Sequence, residues 1–178
     1  EKLNCKPLSN YALAKYKASS YLLNLFKNKK FPVTVLRLYQ AYGPKQDLNR
    51  LIPIVIDKSL KNQNIPCTLG RQKRDFLYID DLINVIFKVI YSKKSQGKIF
   101  NIGSYEPIRI RDVIKKIIKI IKKGKPQFGK IALRKEELQN MYPSITKAKK
   151  ILNWKPKVSL EKGLKLTIKN FKNESKYK

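Results

Sequence analysis

The sequence predicts an α/β fold, one edge of a doubly wound sheet with a smaller mixed α/β cap. A helical pattern over residues 9–28 is followed by a short β-branched run at 33–38, the order found in the second half of a crossover unit of a parallel sheet. Short apolar runs and amphipathic segments then follow along the chain. The 178 residues are enough for one domain with a core, or for one domain and part of another.

Each element follows from its local pattern. Ser9 or Asn10 can cap the helix at 9–28, in which apolar residues recur at helical spacing. The run at 33–38 suits a buried strand, and Tyr42-Gly43-Pro44 forms the turn after it. The remaining predicted elements are a helix at 51–60, extended pieces at 67–69 and 76–79, a helix at 81–91 capped by Asp80, a strand at 98–102, a helix at 112–123 closed by Gly124, and helices at 146–152 and 160–172.

The composition is strongly basic, with 41 Lys and Arg against 12 Asp and Glu and a net charge of +29. Such a charge favours anionic partners, including nucleic acid, membrane surfaces and phosphorylated small molecules. Only seven of the basic residues are Arg, however, and Arg is preferred for bidentate recognition of phosphate or guanine. Because the Lys residues are spread over polar helix faces, as at 114–123, we favour a solvated Lys-rich surface over an electrostatic field that serves a function.

Several kinds of chemistry are excluded or disfavoured. The chain has no His, which removes Ser-His-Asp and Cys-His nucleophilic sites, and Cys5 and Cys67 have no CxxC spacing. No apolar run approaches the roughly 20 residues needed to span a bilayer. We therefore predict a cytoplasmic protein with no metal ion and no membrane partner. The first residue is Glu1 and no signal-peptide pattern follows it, so we interpret the start as a cut in a longer chain.

Tyr11 and Lys15 are the candidate catalytic pair. Residues four apart share one face of a helix, and a positive charge beside a phenol favours its phenolate. Such a Tyr can take a proton from a sugar hydroxyl while a nicotinamide accepts hydride. The spacing alone is weak, because a surface pair of this kind arises by chance in a Lys-rich helix.

The surrounding residues carry a resemblance. Pro7-Leu8-Ser9-Asn10-Tyr11-Ala12-Leu13-Ala14-Lys15 and, after a helix and a strand, Val35-Leu36-Arg37-Leu38-Tyr39-Gln40-Ala41-Tyr42-Gly43-Pro44 resemble the extended short-chain dehydrogenase/reductase family of NAD(P)-dependent nucleotide-sugar epimerases and dehydratases. The resemblance implies that Tyr11 is the catalytic acid/base and that Lys15 holds the nicotinamide ribose. It also implies that Gln40, where the family usually has Asn, and its neighbour Ala41 lie at the cofactor, with Gln40 near the substrate phosphate as well.

Further motifs resemble the substrate-facing parts of this family. Arg50-Leu51-Ile52-Pro53 is similar to the segment that opens a helix lining the nucleotide pocket, although a solvated loop charge is an equal alternative for Arg50. In Gly70-Arg71-Gln72-Lys73-Arg74-Asp75-Phe76-Leu77-Tyr78-Ile79-Asp80-Asp81 the resemblance implies that Arg74 contacts the diphosphate. Arg134 inherits a phosphate contact, and Glu137 a ribose hydroxyl. We predict structural roles for Asp75, Asp80 and Asp81 as caps or buried acceptors, and a core position for Trp154.

The resemblance covers residues 7 to about 171 and omits the Gly-rich loop, the ribose-reading residue and the catalytic Ser/Thr, which lie upstream in this family. None of the seven Gly forms a phosphate-cradling cluster. The implied division is a remnant of the dinucleotide-binding domain at 1–50 and a mostly substrate-binding part at 51–178, some of which returns to the main sheet. The resemblance implies NAD or NADP as cofactor, with the main binding loop absent here, a nucleotide-diphosphate sugar as ligand, and a homodimer.

Three functions stay open. The leading one is epimerisation, 4,6-dehydration or 4-keto reduction of a nucleotide-diphosphate sugar. The second is an inactive fragment, or half of a split protein. The third is a basic nucleic-acid-binding module, which the net charge favours and the lack of an Arg cluster or a basic-aromatic platform disfavours.

Overall fold

The computed structural model describes Pro7, residues 9–134 and residues 137–174. Cys5 lies outside the described residues. The helices are α1 Asn10–Lys29, α2 Leu51–Leu60, α3 Ile79–Ile90, α4 Ile110–Ile121, α5 Thr146–Leu152 and α6 Leu160–Glu174, with a 3₁₀ turn at Lys93–Ser95. The strands are β1 Thr34–Leu38, β2 Gln40–Tyr42, β3 Asn64–Cys67, β4 Lys73–Arg74, β5 Phe76–Tyr78, β6 Lys98–Ile102, β7 Ile108–Arg109, β8 Lys125–Phe128 and β9 Asn140–Met141.

The fold is α/β, as predicted. β1 and β6 pair in parallel from Thr34 opposite Lys98 to Leu38 opposite Ile102. β2 and β5 form a second parallel pair, and β3 and β8 a third. β4 lies between β7, which is antiparallel to it, and β9, which is parallel. The chain thus places a parallel β1–β6 pair beside several shorter sheets.

Helix α1 begins and ends as its sequence dictates. The Ser9 side chain accepts a hydrogen bond from the N–H of Ala12 at 3.2 Å, which satisfies one free donor of the first turn. At the other end Lys30 has a left-handed backbone with φ of 55°. Its N–H donates to the carbonyl of Phe26, and the N–H of Phe31 donates to the carbonyl of Leu25. The predicted helix at 9–28 is confirmed to within one residue at each end.

The boundaries predicted for two helices, at 81–91 and 112–123, were wrong. α3 begins at Ile79 after the cap residue Tyr78, so Asp80 lies exposed in the first turn and is neither a cap nor a buried acceptor. A carboxylate in the first turn still complements the helix dipole. α4 spans Ile110–Ile121 and ends with Lys122 in the left-handed conformation, two residues before Gly124.

Short strands account for the other differences. The extended piece predicted at 67–69 lies earlier, at Asn64–Cys67, and β4, β7 and β9 have two residues each. β8 contains Pro126, which disfavours a strand assignment from sequence. Strands this short show no hydrophobic periodicity in the sequence. Their positions and partners depend on contacts made elsewhere in the fold.

Two clusters of buried side chains form the core. The first joins α2, α4 and α6 to β3 and β8, and includes Val55, Ile114 and Leu164. The second joins β6, α3 and α5, and includes Phe100 and Trp154, which is 1% exposed as its predicted core position requires. Ile79, the first residue of α3, packs against both clusters.

Candidate functional site

A cavity of about 410 Å³ lies among β3, α2, α4 and the residues Ile131, Arg134 and Glu137. Its walls combine apolar side chains with a few polar groups, the usual composition of a small-molecule site. The polar lining residues are Gln40, Thr68, Gln72, Arg74, Arg134 and Glu137, and the apolar ones include Leu51, Ile65, Cys67, Ile110, Ile114 and Ile131. Five residues predicted to bind substrate, from four separate stretches of sequence, meet here: Gln40, Leu51, Arg74, Arg134 and Glu137.

Arg74 is the most buried charged side chain of this cavity. It lies on the two-residue strand β4, which is held between β7 and β9, and only 5% of the residue is exposed. Its Nη1 donates to the carbonyl of Lys73 at 2.7 Å, and its Nη2 forms an ion pair with Oε1 of Glu137. The guanidinium is therefore fixed in orientation by its strand, its backbone contact and its carboxylate partner.

Asp75, next in the chain, fixes the neighbouring loop. It is fully buried and accepts hydrogen bonds from the N–H groups of Ser104 and of Tyr105, the latter at 2.7 Å. Burial raises the pKa of the Asp75 carboxyl, while the N–H groups of Ser104 and Tyr105 oppose that rise. The structural role predicted for Asp75 is confirmed, as is that of Asp81, whose carboxylate accepts from the N–H groups of Lys157 and Val158.

The start of α2 lies at the cavity, because Leu51 is the first residue of this helix and also lines the wall. Its first turn contains no acidic residue, so the positive end of the helix dipole is uncompensated there. Arg50 directly precedes the helix and accepts a hydrogen bond at its carbonyl from the N–H of Ile54. Its side chain is exposed and does not line the cavity.

Tyr11 and Lys15 lie on α1, outside the cavity lining. The Lys15 Nζ is 5.6 Å from the centre of the Tyr11 ring, so the two groups do share a helix face. Tyr11 is 74% exposed, and none of the α1 residues is buried. Ala41, predicted beside the cofactor, lies on β2 and packs against the second core cluster. The catalytic and cofactor roles of these residues stay predictions.

Cys67, Thr68 and Gln72 line the cavity without having been predicted there. Burial raises the pKa of the Cys67 thiol, and its Sγ lies 3.0 Å from the carbonyl oxygen of Ile65. Gln72 is 8% exposed, with Nε2 3.5 Å from Oγ1 of Thr68. These residue types carry no motif of their own. The one local signal is Gly70, whose φ of 66° and close approach to the Arg111 backbone shape the loop between them.

Within the described residues, no group of three or more His, Cys, Asp or Glu side chains is placed to hold a metal ion. Among the helices of the same ranges, none has both the length and the apolar content needed to cross a bilayer.

The fold and the cavity define an α/β protein with a site suited to a phosphate-bearing ligand, in which two Arg side chains, a helix start and an apolar wall meet. The chain belongs to the NAD dependent epimerase/dehydratase family, whose model matches residues 1–103, more than half of the sequence.

Named relatives agree with this membership. CDP-abequose synthase of Salmonella muenchen is 33% identical over 73% of this chain and 45% of its own length. The dTDP-D-glucose 4,6-dehydratase of Mus musculus is 31% identical over 94% of this chain and 50% of its own length. The crystal structure of UDP-glucuronic acid 4-epimerase from Bacillus cereus with UDP-glucuronic acid and NAD is similar with a TM-score of 0.87 and 31% identity, covering 98% of this chain and 56% of that one. The chain spans about half the length of these relatives.

Proposed function

We propose that this chain supplies the substrate-binding part and the catalytic helix of an NAD(P)-dependent enzyme that epimerises, dehydrates or reduces a nucleotide-diphosphate sugar. The observation that carries the proposal is the meeting of Gln40, Leu51, Arg74, Arg134 and Glu137 in one cavity. Relatives act on CDP-, dTDP- and UDP-linked sugars, as their names state, which supports a substrate of this class.

The cavity supports a division of labour along such a substrate. Arg74 and Arg134 carry the positive charge for the diphosphate, and the planar guanidinium matches phosphate oxygens with paired donors. Glu137 accepts hydrogen bonds from ribose hydroxyls, because its ionised carboxylate has acceptor atoms and no donor. The apolar wall from Ile65, Ile110 and Ile114 suits the flat faces of a base.

Tyr11 is the proposed proton carrier. Its phenol takes a proton from the 4-hydroxyl of the sugar during oxidation and returns one during reduction, and the Lys15 ammonium lies 5.6 Å from the centre of its ring. A nicotinamide cofactor supplies the hydride acceptor and donor when bound. Because both side chains are exposed on one helix face, they are accessible to a nicotinamide ribose.

The described residues can contact only the nicotinamide-ribose end of NAD or NADP. The sequence contains no Gly-rich loop for the cofactor diphosphate, and the chain spans about half of its relatives. We propose that the remaining cofactor contacts come from protein corresponding to the other half of the relatives, joined to this chain or paired with it, and that the assembled enzyme is a homodimer. An inactive fragment is the alternative.

The test uses a protein that contains both halves. Tyr11→Phe removes the acid/base and is expected to lower kcat by about 10²–10⁴-fold, the usual contribution of general acid–base catalysis. Tyr16→Phe is the matched control, because Tyr16 is also exposed on α1 and its loss should leave kcat within about twofold. The measurement is turnover of UDP-, dTDP- and CDP-sugars. Unchanged turnover in the Tyr11→Phe enzyme would refute the assigned chemistry.

A further inference from the structure

An apolar stripe runs along the outer side of α3. It consists of Ile83, Ile86, Phe87, Ile90 and Tyr91, which are 45%, 40%, 54%, 66% and 82% exposed. Spacings of three and four residues place these side chains on one face of the helix. The opposite face carries Leu82 and Val85, which are buried in the second core cluster. α3 is therefore apolar on both sides, and within the described residues only one side is covered.

The stripe is poorly suited to a second copy of the chain. A twelve-residue helix is about 18 Å long, so a stripe roughly 10 Å wide offers on the order of 200 Å². A stable protein interface buries about 800 Å² on each partner.

The charges beside the stripe favour an anionic partner. Lys93 and Lys94 are exposed in the 3₁₀ turn directly after Tyr91, and no acidic residue occurs between Leu82 and Tyr105. The last turn of α1, with Lys27 and Lys29, approaches the same end, because the ring of Phe26 packs against Gly97. Exposed aromatic and aliphatic side chains flanked by Lys are the pattern of helices that lie in the headgroup region of membranes.

We propose that the α3 stripe docks the protein on an anionic lipid surface. Phe87, Ile90 and Tyr91 enter the boundary between headgroups and acyl chains, and Lys93 and Lys94 contact lipid phosphates. The sequence predicts no membrane partner, because no apolar run is long enough to span a bilayer. Surface docking requires no membrane-spanning helix, and it is independent of the proposed catalytic function.

The test is sedimentation of the 178-residue chain with vesicles of phosphatidylcholine alone and of phosphatidylcholine with one-third phosphatidylglycerol. We expect binding to the anionic vesicles only. Phe87→Asn with Ile90→Asn keeps the net charge and should weaken binding by about tenfold or more, since it removes two inserting side chains. Leu48→Asn with Leu166→Asn is the control, because both residues are exposed outside the stripe and should not matter.

A second comparison tests whether the lysines beside the stripe bind lipid. It uses two double variants that lower the net charge by the same amount. Lys93→Gln with Lys94→Gln should weaken binding by about tenfold, whereas Lys122→Gln with Lys123→Gln, at the end of α4, should change it much less. Equal losses in the two pairs, or full binding by the Phe87/Ile90 variant, would mean adsorption by overall charge and overturn the proposal. Concentration-dependent dimerisation abolished by the same variant would assign the stripe to a second copy and overturn it as well.

Discussion

At the scale of single residues, the proposed substrate site depends most on Arg74. Its guanidinium is almost completely buried and pairs with Glu137, so its orientation is set before any ligand arrives. A charge-assisted hydrogen bond from such a group contributes about 1.5–3 kcal/mol. Arg71, three residues earlier in the chain, is exposed and does not line the cavity, so position rather than charge distinguishes the two residues.

This comparison gives a testable prediction. Arg74→Gln should weaken binding of a matching nucleoside diphosphate by about 10–100-fold, which corresponds to the loss of one charge-assisted hydrogen bond. Arg71→Gln removes the same charge and should change the dissociation constant by no more than about threefold. Calorimetric titration with UDP, dTDP and CDP measures both variants. If the two lose affinity equally, the long-range field of the protein, and not the cavity, recognises the ligand.

Individual residues also show how far the sequence predicts the site. Arg74, Arg134 and Glu137 line the cavity. They could be predicted because each lies in a short motif whose neighbouring residues are recognisable in the sequence. Cys67 and Gln72 were missed, because their position at the wall follows from the parallel pairing of β3 with β8 and from the loop after β3. Pairing between strands far apart in sequence leaves no local pattern in either strand.

At the scale of elements, α6 shows how a helix is adapted to its neighbours. Gly163 lies in its first turns, a position at which Gly costs helix stability. A Cβ added there would overlap the hydroxyl of Tyr42 and lie 2.8 Å from Cδ2 of Tyr78. The Tyr42 hydroxyl donates to the carbonyl of Leu160 at 3.2 Å, and burial raises the pKa of that hydroxyl. The missing side chain thus allows α6 to approach β2 and β5.

Gly163→Ala should therefore lower the free energy of unfolding by about 1–3 kcal/mol, the usual cost of overpacking. The change would stabilise an isolated helix by about 1 kcal/mol, so the expected sign is opposite to that of helix propensity. Urea denaturation measures the effect, with Lys162→Ala on the exposed side of α6 as control. The loss should shrink when Tyr42→Phe is added. A stabilised Gly163→Ala variant would contradict the packing described for α6.

Some helices and strands could be predicted from the sequence with correct ends, and others could not. The helices at Leu51–Leu60 and Thr146–Leu152 and the strand at Lys98–Ile102 agree with the sequence prediction at both ends. The helix at Thr146–Leu152 ends at Asn153 in the left-handed conformation, and the strand is followed by Gly103, but neither helix has a side-chain hydrogen bond at its N-cap. The two-residue strands are too short to show a pattern, and α3 extends two residues further upstream than predicted, because a β-like Tyr78 can cap a helix without a side-chain acceptor.

At the scale of the whole molecule, the net charge of +29 dominates. The described chain contains ion pairs on its helices, such as Lys61 with Asp57 and Lys165 with Glu161, but the carboxylates are far too few to neutralise the lysines. Repulsion among the unpaired charges opposes the compact state and is screened by salt. Screening should therefore stabilise this protein more than it stabilises a neutral one.

We expect the thermal midpoint of the chain at pH 7 to rise by a few degrees between about 20 and 300 mM sodium chloride, as the screening length falls from roughly 20 Å to 6 Å. Repeating the series after acetylation of the lysines, which removes their charges, should reduce the rise. A midpoint that falls with salt at pH 7 would mean that specific ion pairs outweigh the general repulsion. Differential scanning calorimetry makes both measurements.

Ile79 joins the two core clusters, because its side chain packs against members of both. Gly43 reinforces this junction, since its missing Cβ leaves room for the Ile79 side chain to lie directly on the backbone. Neither cluster can lose its packing there without removing a contact from the other. We therefore expect the cavity walls, which belong mainly to the first cluster, and α3, which is anchored in the second, to melt in a single cooperative step rather than as independent units.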